Sequence, residues 1–155
     1  MKMDKRLKLC LVSSAGGHLS QLLTLSDCWE RYERFWITTS GTVSAKLRED
    51  GEVYVAGECN RNHLLKVLKV IFYCGWVVLR KRPDVVVSTG AAVGCITCFL
   101  AKLCGAKIIW IDSITNVERL SLSGRMVRHI ADLFLVQWPQ LAWKYQGTEY
   151  AGAVV

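Results

Sequence analysis

His18 closes a loop whose composition suits an anion. The loop reads Ser14-Ala15-Gly16-Gly17-His18; it follows the apolar run Leu7–Ser13 and precedes a helical pattern with Leu19, Leu22, Leu23 and Leu25 on one side. Glycines let backbone N–H groups approach a ligand closely, and a helix start favours negative charge. Imidazole is the side chain most easily tuned for proton transfer near neutral pH. The loop is not a P-loop, because no Gly-Lys-Ser/Thr follows. Nor is it the dinucleotide fingerprint, because Gly16-Gly17 lacks the GxGxxG spacing. The plainer alternative is a tight strand-to-helix turn with an incidental histidine.

Two further loops carry chemistry. Ser88-Thr89-Gly90-Ala91 repeats the small-residue, helix-opening character of the first loop. Two helix starts aimed at one crevice suit a diphosphate better than one; small residues there also permit close helix–sheet packing. Asp112-Ser113 follows another apolar run and offers a second proton acceptor beside His18. A loop-anchoring carboxylate is the alternative for Asp112. Glu118 and Arg119 lie in the irregular segment beyond it. His63 and His129 receive no role, one starting a helix and the other lying near a helix end.

These loops need a frame, and the pattern supplies one. Strands are expected at Leu7–Ser13, Arg34–Thr39, Glu52–Ala56, Val85–Ser88, Lys107–Ile111 and Leu133–Val136, with one more short strand at the end. Helices are expected at Leu19–Arg31, Val43–Arg48, Asn62–Arg80, Ala92–Leu103 (capped by Gly105), Gly124–Ala131 and Pro139–Tyr145. Several strands are apolar throughout, as parallel strands buried on both faces are. The alternation predicts an α/β fold, a Rossmann-like doubly wound parallel sheet in a single domain over residues 1–155. In such sheets ligands bind beyond the C-terminal ends of the strands, so the loops at 14–18, 89–91 and 112–113 are expected to meet at one edge.

Composition narrows the partners. The net charge of +7 suits nucleic acid, anionic lipid or phosphorylated substrates, but no nucleic-acid-binding motif is present. Seven cysteines are an odd number, and Cys10, Cys74, Cys95, Cys98 and Cys104 fall inside apolar runs, so burial as reduced thiols is expected. Cys95-Ile96-Thr97-Cys98 has no second pair to complete a metal site, and neither metal nor cofactor is expected. Residues 1–6 run straight into the first strand, and the apolar run after them is too short for a signal peptide. No stretch reaches the roughly 18–20 uncharged apolar residues of a spanning helix.

The helix expected at Asn62–Arg80 is apolar around most of its circumference, with Lys66, Lys69, Tyr73 and Arg80 as a polar stripe and Arg80-Lys81-Arg82 at its end. A helix lying on a sheet needs one apolar face only. The second face therefore requires a cover. Basic residues beside Trp76 and its apolar neighbours favour an anionic membrane surface, with Lys66, Lys69, Trp76, Arg80, Lys81 and Arg82 as contacts. Burial between the sheet and neighbouring helices is the alternative.

Several segments together carry a resemblance: Ser13–His18, Asp84–Gly90, Asp112-Ser113 through Leu120-Ser121-Leu122-Ser123-Gly124, Ala131-Asp132, and Val136-Gln137-Trp138-Pro139. Over nearly its whole length the chain resembles the family of asparagine-linked-glycosylation protein fourteen and its bacterial polysaccharide-biosynthesis relatives. The paired Leu-Ser-Leu-Ser-Gly and Val-Gln-Trp-Pro segments are more specific than the glycine loop. Where eukaryotic members usually carry Glu-Ser and Arg, this chain has Asp112-Ser113 and Asn116.

The resemblance implies the N-terminal, acceptor-binding half of a split GT-B glycosyltransferase. A separate chain supplies the half that binds the UDP-sugar, and the acceptor is a polyprenyl-diphosphate-linked saccharide used in exopolysaccharide or capsule synthesis. On this reading His18 and Asp112 are the candidate bases, and Ser14, Gly16, Gly17, Thr89, Gly90, Ser113, Asn116 and Glu118 shape the acceptor site. Many eukaryotic members carry an N-terminal spanning helix. Attachment here is expected instead from the Leu64–Arg82 helix or the partner, peripherally on the cytoplasmic face of the membrane. The competing readings are a non-catalytic membrane adaptor and a stand-alone nucleotide-binding domain.

Overall fold

The computed structural model describes residues 6–58 and 63–154. Residues 1–5 of the N-terminal reading and Asn62, the expected start of the long helix, lie outside them. Seven strands form one parallel sheet: β1 (Lys8–Val12), β2 (Glu33–Thr38), β3 (Glu52–Val55), β4 (Val85–Ser88), β5 (Lys107–Ile111), β6 (Leu133–Val136) and β7 (Glu149–Tyr150). Their order is β3-β2-β1-β4-β5-β6-β7, so β1 lies between β2 and β4 and the winding reverses there. The helices are α1 (Gly17–Thr24), α2 (Ser44–Leu47), α3 (Leu64–Lys81), α4 (Ala91–Leu103), α5 (Leu122–Val127) and α6 (Pro139–Lys144).

Alternate residues of each strand feed two cores, as a pleat of period two requires. Cys10, Val12, Val86, Ile108 and Trp110 point to the face packed by α3 and α4, against Val70, Cys74, Val77, Val93 and Cys98. Leu9, Leu11, Trp36, Val87 and Ile111 point to the other face, where Leu19 and Leu22 of α1, Trp29 and Leu47 meet them. Each fully buried side chain of this size contributes about 1.5–3 kcal/mol relative to exposure. The second face is covered less completely. An apolar groove of about 380 Å³ remains between the Leu25–Tyr32 segment and Val85, Val87, Ile109, Ile111, Leu133 and Leu135.

The expected strands and helices are present, with instructive differences at their ends. The first helix stops at Thr24 rather than Arg31, and a 3₁₀ turn at Ser26–Cys28 follows. Ser26 and Asp27 compete for backbone hydrogen bonds and are poor interior helix residues, and the chain must turn to bury Trp29. The helix expected at Gly124–Ala131 runs from Leu122 to Val127, and Ser121 caps its earlier start by accepting from the Gly124 N–H. Helix α4 ends where glycine was expected to end it. Gly105 has φ +87, its N–H donates to the Lys102 carbonyl, and the Ala106 N–H reaches back to Ala101.

Cys10, Cys74, Cys95 and Cys98 are buried, while Cys104 is exposed where α4 ends. Burial pushes the Cys95 thiol up to about 11 and raises those of Cys10 and Cys98 as well. These thiols are poor nucleophiles. Among the described residues no cluster of three or more His, Cys, Asp or Glu is placed to hold a metal ion.

Helix α3 runs antiparallel to the strands it connects, so its Leu64 end lies at the C-terminal edge of the sheet and its Lys81 end at the opposite edge. Val70, Cys74, Val77 and Val78 face the core. Leu64, Leu65, Leu68, Phe72, Trp76 and Leu79 are exposed, which gives the second apolar face expected of this segment. Among the described residues no helix is long and apolar enough to cross a membrane.

Candidate functional site at the β1–β4 switch point

Helices α1 and α4 leave adjacent strands toward opposite faces of the sheet, and their starts flank the switch point, the position at which doubly wound sheets bind ligands. The β1 loop is held at its root. The Ala15 N–H donates to Thr39 Oγ1 at the end of β2 (3.1 Å). Gly16 then adopts φ +104, a conformation open to glycine and strained for other residues. Gly16 and Gly17 are exposed, and an added Cβ at either would meet nothing within 4 Å. The space above this loop is therefore free for a ligand. No side chain caps α1, and no acidic residue sits in its first turn. Ser14 lies half-buried at the base of the loop.

The β4 loop closes on His18 from the other strand. Thr89 is fully buried; its hydroxyl donates to the His18 carbonyl (2.6 Å), and its own carbonyl lies 2.9 Å from His18 Nδ1. Gly90 lies under the imidazole: a Cβ there would sit 2.6 Å from His18 Cε1. Gly90 has φ +141 and Ala91 φ +66, the latter an uncommon conformation for a residue with a side chain. Such strain costs on the order of 1–3 kcal/mol and tends to cluster at functional sites. Helix α4 also begins without a side-chain cap or an acidic first turn. Ser14, Gly16, Gly17, His18, Thr89 and Gly90 thus come together as one junction.

Asp112, one strand further along, organises a different cluster. It is buried, and its carboxylate accepts from Trp110 Nε1 (3.1 Å), Asn116 Nδ2 (3.1 Å), the Ser121 N–H (3.1 Å) and the Ser121 hydroxyl (2.6 Å). Gln137 Nε2 donates to the Asp112 carbonyl (2.9 Å), and Trp138 Nε1 to that of Ile114 (2.7 Å). Gly124 has no side chain because Asp112 occupies the space: a Cβ there would lie 2.6 Å from Oδ1. The Leu-Ser-Leu-Ser-Gly and Gln-Trp-Pro segments therefore build one loop around one carboxylate. Ser121, Gly124, Gln137 and Trp138 carried no individual role in the sequence reading. Their signal was the clustering of small and amide residues in specific segments, without a visible target.

Ser113 is buried and pairs with the Thr115 hydroxyl (3.0 Å). Asn116, Glu118 and Arg119 line a shallow hollow of about 310 Å³ on the outer side of the same loop. Glu118 is exposed, and its backbone carbonyl accepts from Lys144 Nζ (2.9 Å).

The residues expected at a membrane divide by position. Lys66 and Lys69 are exposed in the N-terminal half of α3, toward the crevice edge. Arg80 lies 5.8 Å from the Trp76 ring centroid, and Arg82 is exposed just past the helix. Lys81 turns back instead, pairing with Glu52 (2.7 Å) and lying 5.7 Å from the Tyr54 ring centroid.

The sequence profile described as "Oligosaccharide biosynthesis protein Alg14 like" matches residues 55–154. The mouse UDP-N-acetylglucosamine transferase subunit ALG14 is 31% identical over 96% of this chain and 83% of its own length. The Candida albicans subunit of the same name is 28% identical over 99% of this chain and 81% of its own length. Among solved structures, Acinetobacter baumannii MurG superposes with a TM-score of 0.78 at 14% identity, over 96% of this chain and 46% of that one. The UDP-N-acetylglucosamine 2-epimerase of Rickettsia bellii gives 0.69 at 14% identity, over 96% of this chain and 45% of that one. The chain thus has a GT-B-like, Rossmann-type fold and spans about half the length of these solved neighbours. By profile and by full-length similarity, the chain belongs to the Alg14 family of oligosaccharide-biosynthesis proteins.

Proposed function

We propose that this chain is the acceptor-side, membrane-recruiting subunit of a two-chain inverting glycosyltransferase. The transferred sugar comes from a UDP-sugar held by a partner GT-B half. The acceptor is a polyprenyl-diphosphate-linked saccharide in polysaccharide synthesis. One observation carries the reading: His18 is seated between two uncapped helix starts at the switch point of the sheet. The backbone N–H groups and dipoles at those starts suit the acceptor's diphosphate, with Gly16 and Gly17 leaving room for close approach. His18 takes the proton of the acceptor hydroxyl as its oxygen bonds to the anomeric carbon; the bond from that carbon to the UDP oxygen breaks, and UDP leaves with the electron pair.

Asp112 serves this chemistry indirectly. Four donors already converge on its carboxylate, so it shapes the loop presenting Ser113, Asn116 and Glu118 to the acceptor. The exposed apolar residues of α3, with Lys66, Lys69, Arg80 and Arg82, support peripheral attachment to an anionic membrane on its cytoplasmic face. The open apolar groove on the sheet supports a subunit role, as surface that an associated chain can cover.

The test is reconstitution. Co-expression with a chain carrying the UDP-sugar-binding half should yield transfer to a polyprenyl-diphosphate-linked saccharide, and neither chain alone should suffice. Failure to pair with any such chain overturns the proposal. Pairing and transfer that are indifferent to His18 would point to a membrane adaptor.

A further inference from the structure

We infer that the turn after β4 is a tautomer clamp: it keeps the proton of neutral His18 on Nδ1, leaves Nε2 as the proton acceptor, and makes Thr89 and Gly90 positioning residues. The inference deepens the reading of His18 as the base and rests on it for its catalytic meaning. Its structural content stands separately. A backbone carbonyl can only accept a hydrogen bond. The Thr89 carbonyl lies 2.9 Å from His18 Nδ1, so this nitrogen carries the hydrogen. A neutral imidazole holds one proton, and Nε2 then presents its lone pair.

The clamp is reciprocal. Thr89 receives the His18 side chain on its backbone and gives its own hydroxyl to the His18 backbone at 2.6 Å. Two hydrogen bonds between the same pair fix both the start of α1 and the direction of the ring. Thr89 is fully buried, so water does not compete for its groups.

Gly90 completes the seat from below. A Cβ at this position would stand 2.6 Å from Cε1, 2.7 Å from Nδ1 and 3.2 Å from Nε2 of His18. Glycine is therefore required twice here, for φ +141 and for the ring resting on it. A methyl group would lift the imidazole off the Thr89 carbonyl and release the tautomer. In catalytic triads a carboxylate holds the tautomer of the basic histidine. Here an uncharged peptide carbonyl is placed to do so.

Two-bond ¹H–¹⁵N correlation spectra of the ¹⁵N-labelled full chain test the clamp directly, bound to its unlabelled partner chain if solubility requires it. The spectra are taken in mildly alkaline buffer, where imidazoles are neutral. His18 signals, assigned by their loss in His18→Asn, should show a protonated Nδ1 and a bare Nε2. In Gly90→Ala the Nδ1–H pattern should be lost or mixed, and kcat should fall about 10- to 100-fold with KM little changed. Should Gly90→Ala fail to fold, Thr89→Val is the second variant; it should lower kcat about tenfold, with Thr89→Ser recovering part of the loss. A wild-type Nε2–H pattern, or unchanged kcat in both Gly90→Ala and Thr89→Val, overturns the clamp. Full transfer by His18→Asn instead overturns the base reading, whatever the spectrum shows.

Discussion

Ser121 holds Asp112 with two hydrogen bonds, one from its backbone N–H (3.1 Å) and one from its hydroxyl (2.6 Å). The same hydroxyl accepts from the Gly124 N–H at 2.8 Å and so caps α5. Ser121→Ala removes a bond to a buried carboxylate and a helix cap together. Such losses cost about 1.5–3 and about 1 kcal/mol when separate, and share one oxygen here. We expect destabilisation of about 2–3 kcal/mol in urea unfolding. A change within about 0.5 kcal/mol, the range of ordinary surface substitutions, would contradict the anchoring role.

His18→Ala should leave the fold and partner binding unchanged, because the ring is only half-buried and belongs to neither core. Transfer by the two-chain complex should fall about 10²- to 10⁴-fold, the usual contribution of a general base. Steady-state rates with co-purified complex check this, and wild-type activity would remove His18 from the mechanism.

Gly124→Ala is a second probe of the Asp112 loop. The new methyl would sit 2.6 Å from Asp112 Oδ1 and 2.8 Å from Ser121 Oγ, both of which are tied in place. Overpacking of this kind costs about 1–3 kcal/mol. Thermal unfolding should show a lowered midpoint, whereas Gly41→Ala, with nothing within 4 Å of the added Cβ, should differ little from wild type.

Asp50 sets an acid-side dependence of stability. Arg34 donates to it from Nε (2.7 Å) and also pairs through Nη2, and Trp36 Nε1 donates at 3.0 Å. The Arg34 hydrogen bonds, opposed by partial burial and aided by Trp36, hold the carboxyl below its ordinary range. The contribution is therefore complete above the unfolded carboxylate value near pH 4 and is lost as pH falls through the lower folded value. Asp50→Asn should be less stable at neutral pH by about 1–3 kcal/mol and lose less stability on acidification than wild type. Parallel unfolding curves across the acid range would refute this.

Leu65 and Phe72 are 83% and 75% exposed on α3. Converting both to Glu should leave stability within about 0.5 kcal/mol, since neither fills the core. Binding of the chain to anionic vesicles in flotation assays should drop at least about tenfold, through lost apolar insertion and added like charge. Undiminished binding would separate α3 from membrane attachment.

Val85–Ser88, Lys107–Ile111 and Leu133–Val136 were legible to the residue because continuous apolar, largely β-branched runs between turn signals are local properties. The same holds for Gly16, Gly90 and Gly105, whose positive φ angles follow from a turn that needs them. From these the sequence alone determined a parallel sheet, the edge at which its loops meet and two glycine-opened helix starts there. It also named His18, Thr89 and Gly90 as neighbours at that edge.

Tertiary structure decided how these residues meet. Thr89 meets His18 across 71 positions only because β1 and β4 pair in the register Val12 to Ser88, bringing their loops side by side. Gln137 reaches Asp112 across 25 positions, and Glu52 engages Lys81 across 29. The carboxylate of Asp112, read from the sequence as a candidate base or a loop anchor, is met by donors from Trp110, Asn116 and Ser121, and Lys81, a cation expected at the membrane, pairs with Glu52. Periodicity and composition report on neighbours along the chain. A hydrogen bond between distant segments depends on sheet register and helix packing, which the whole core sets at once.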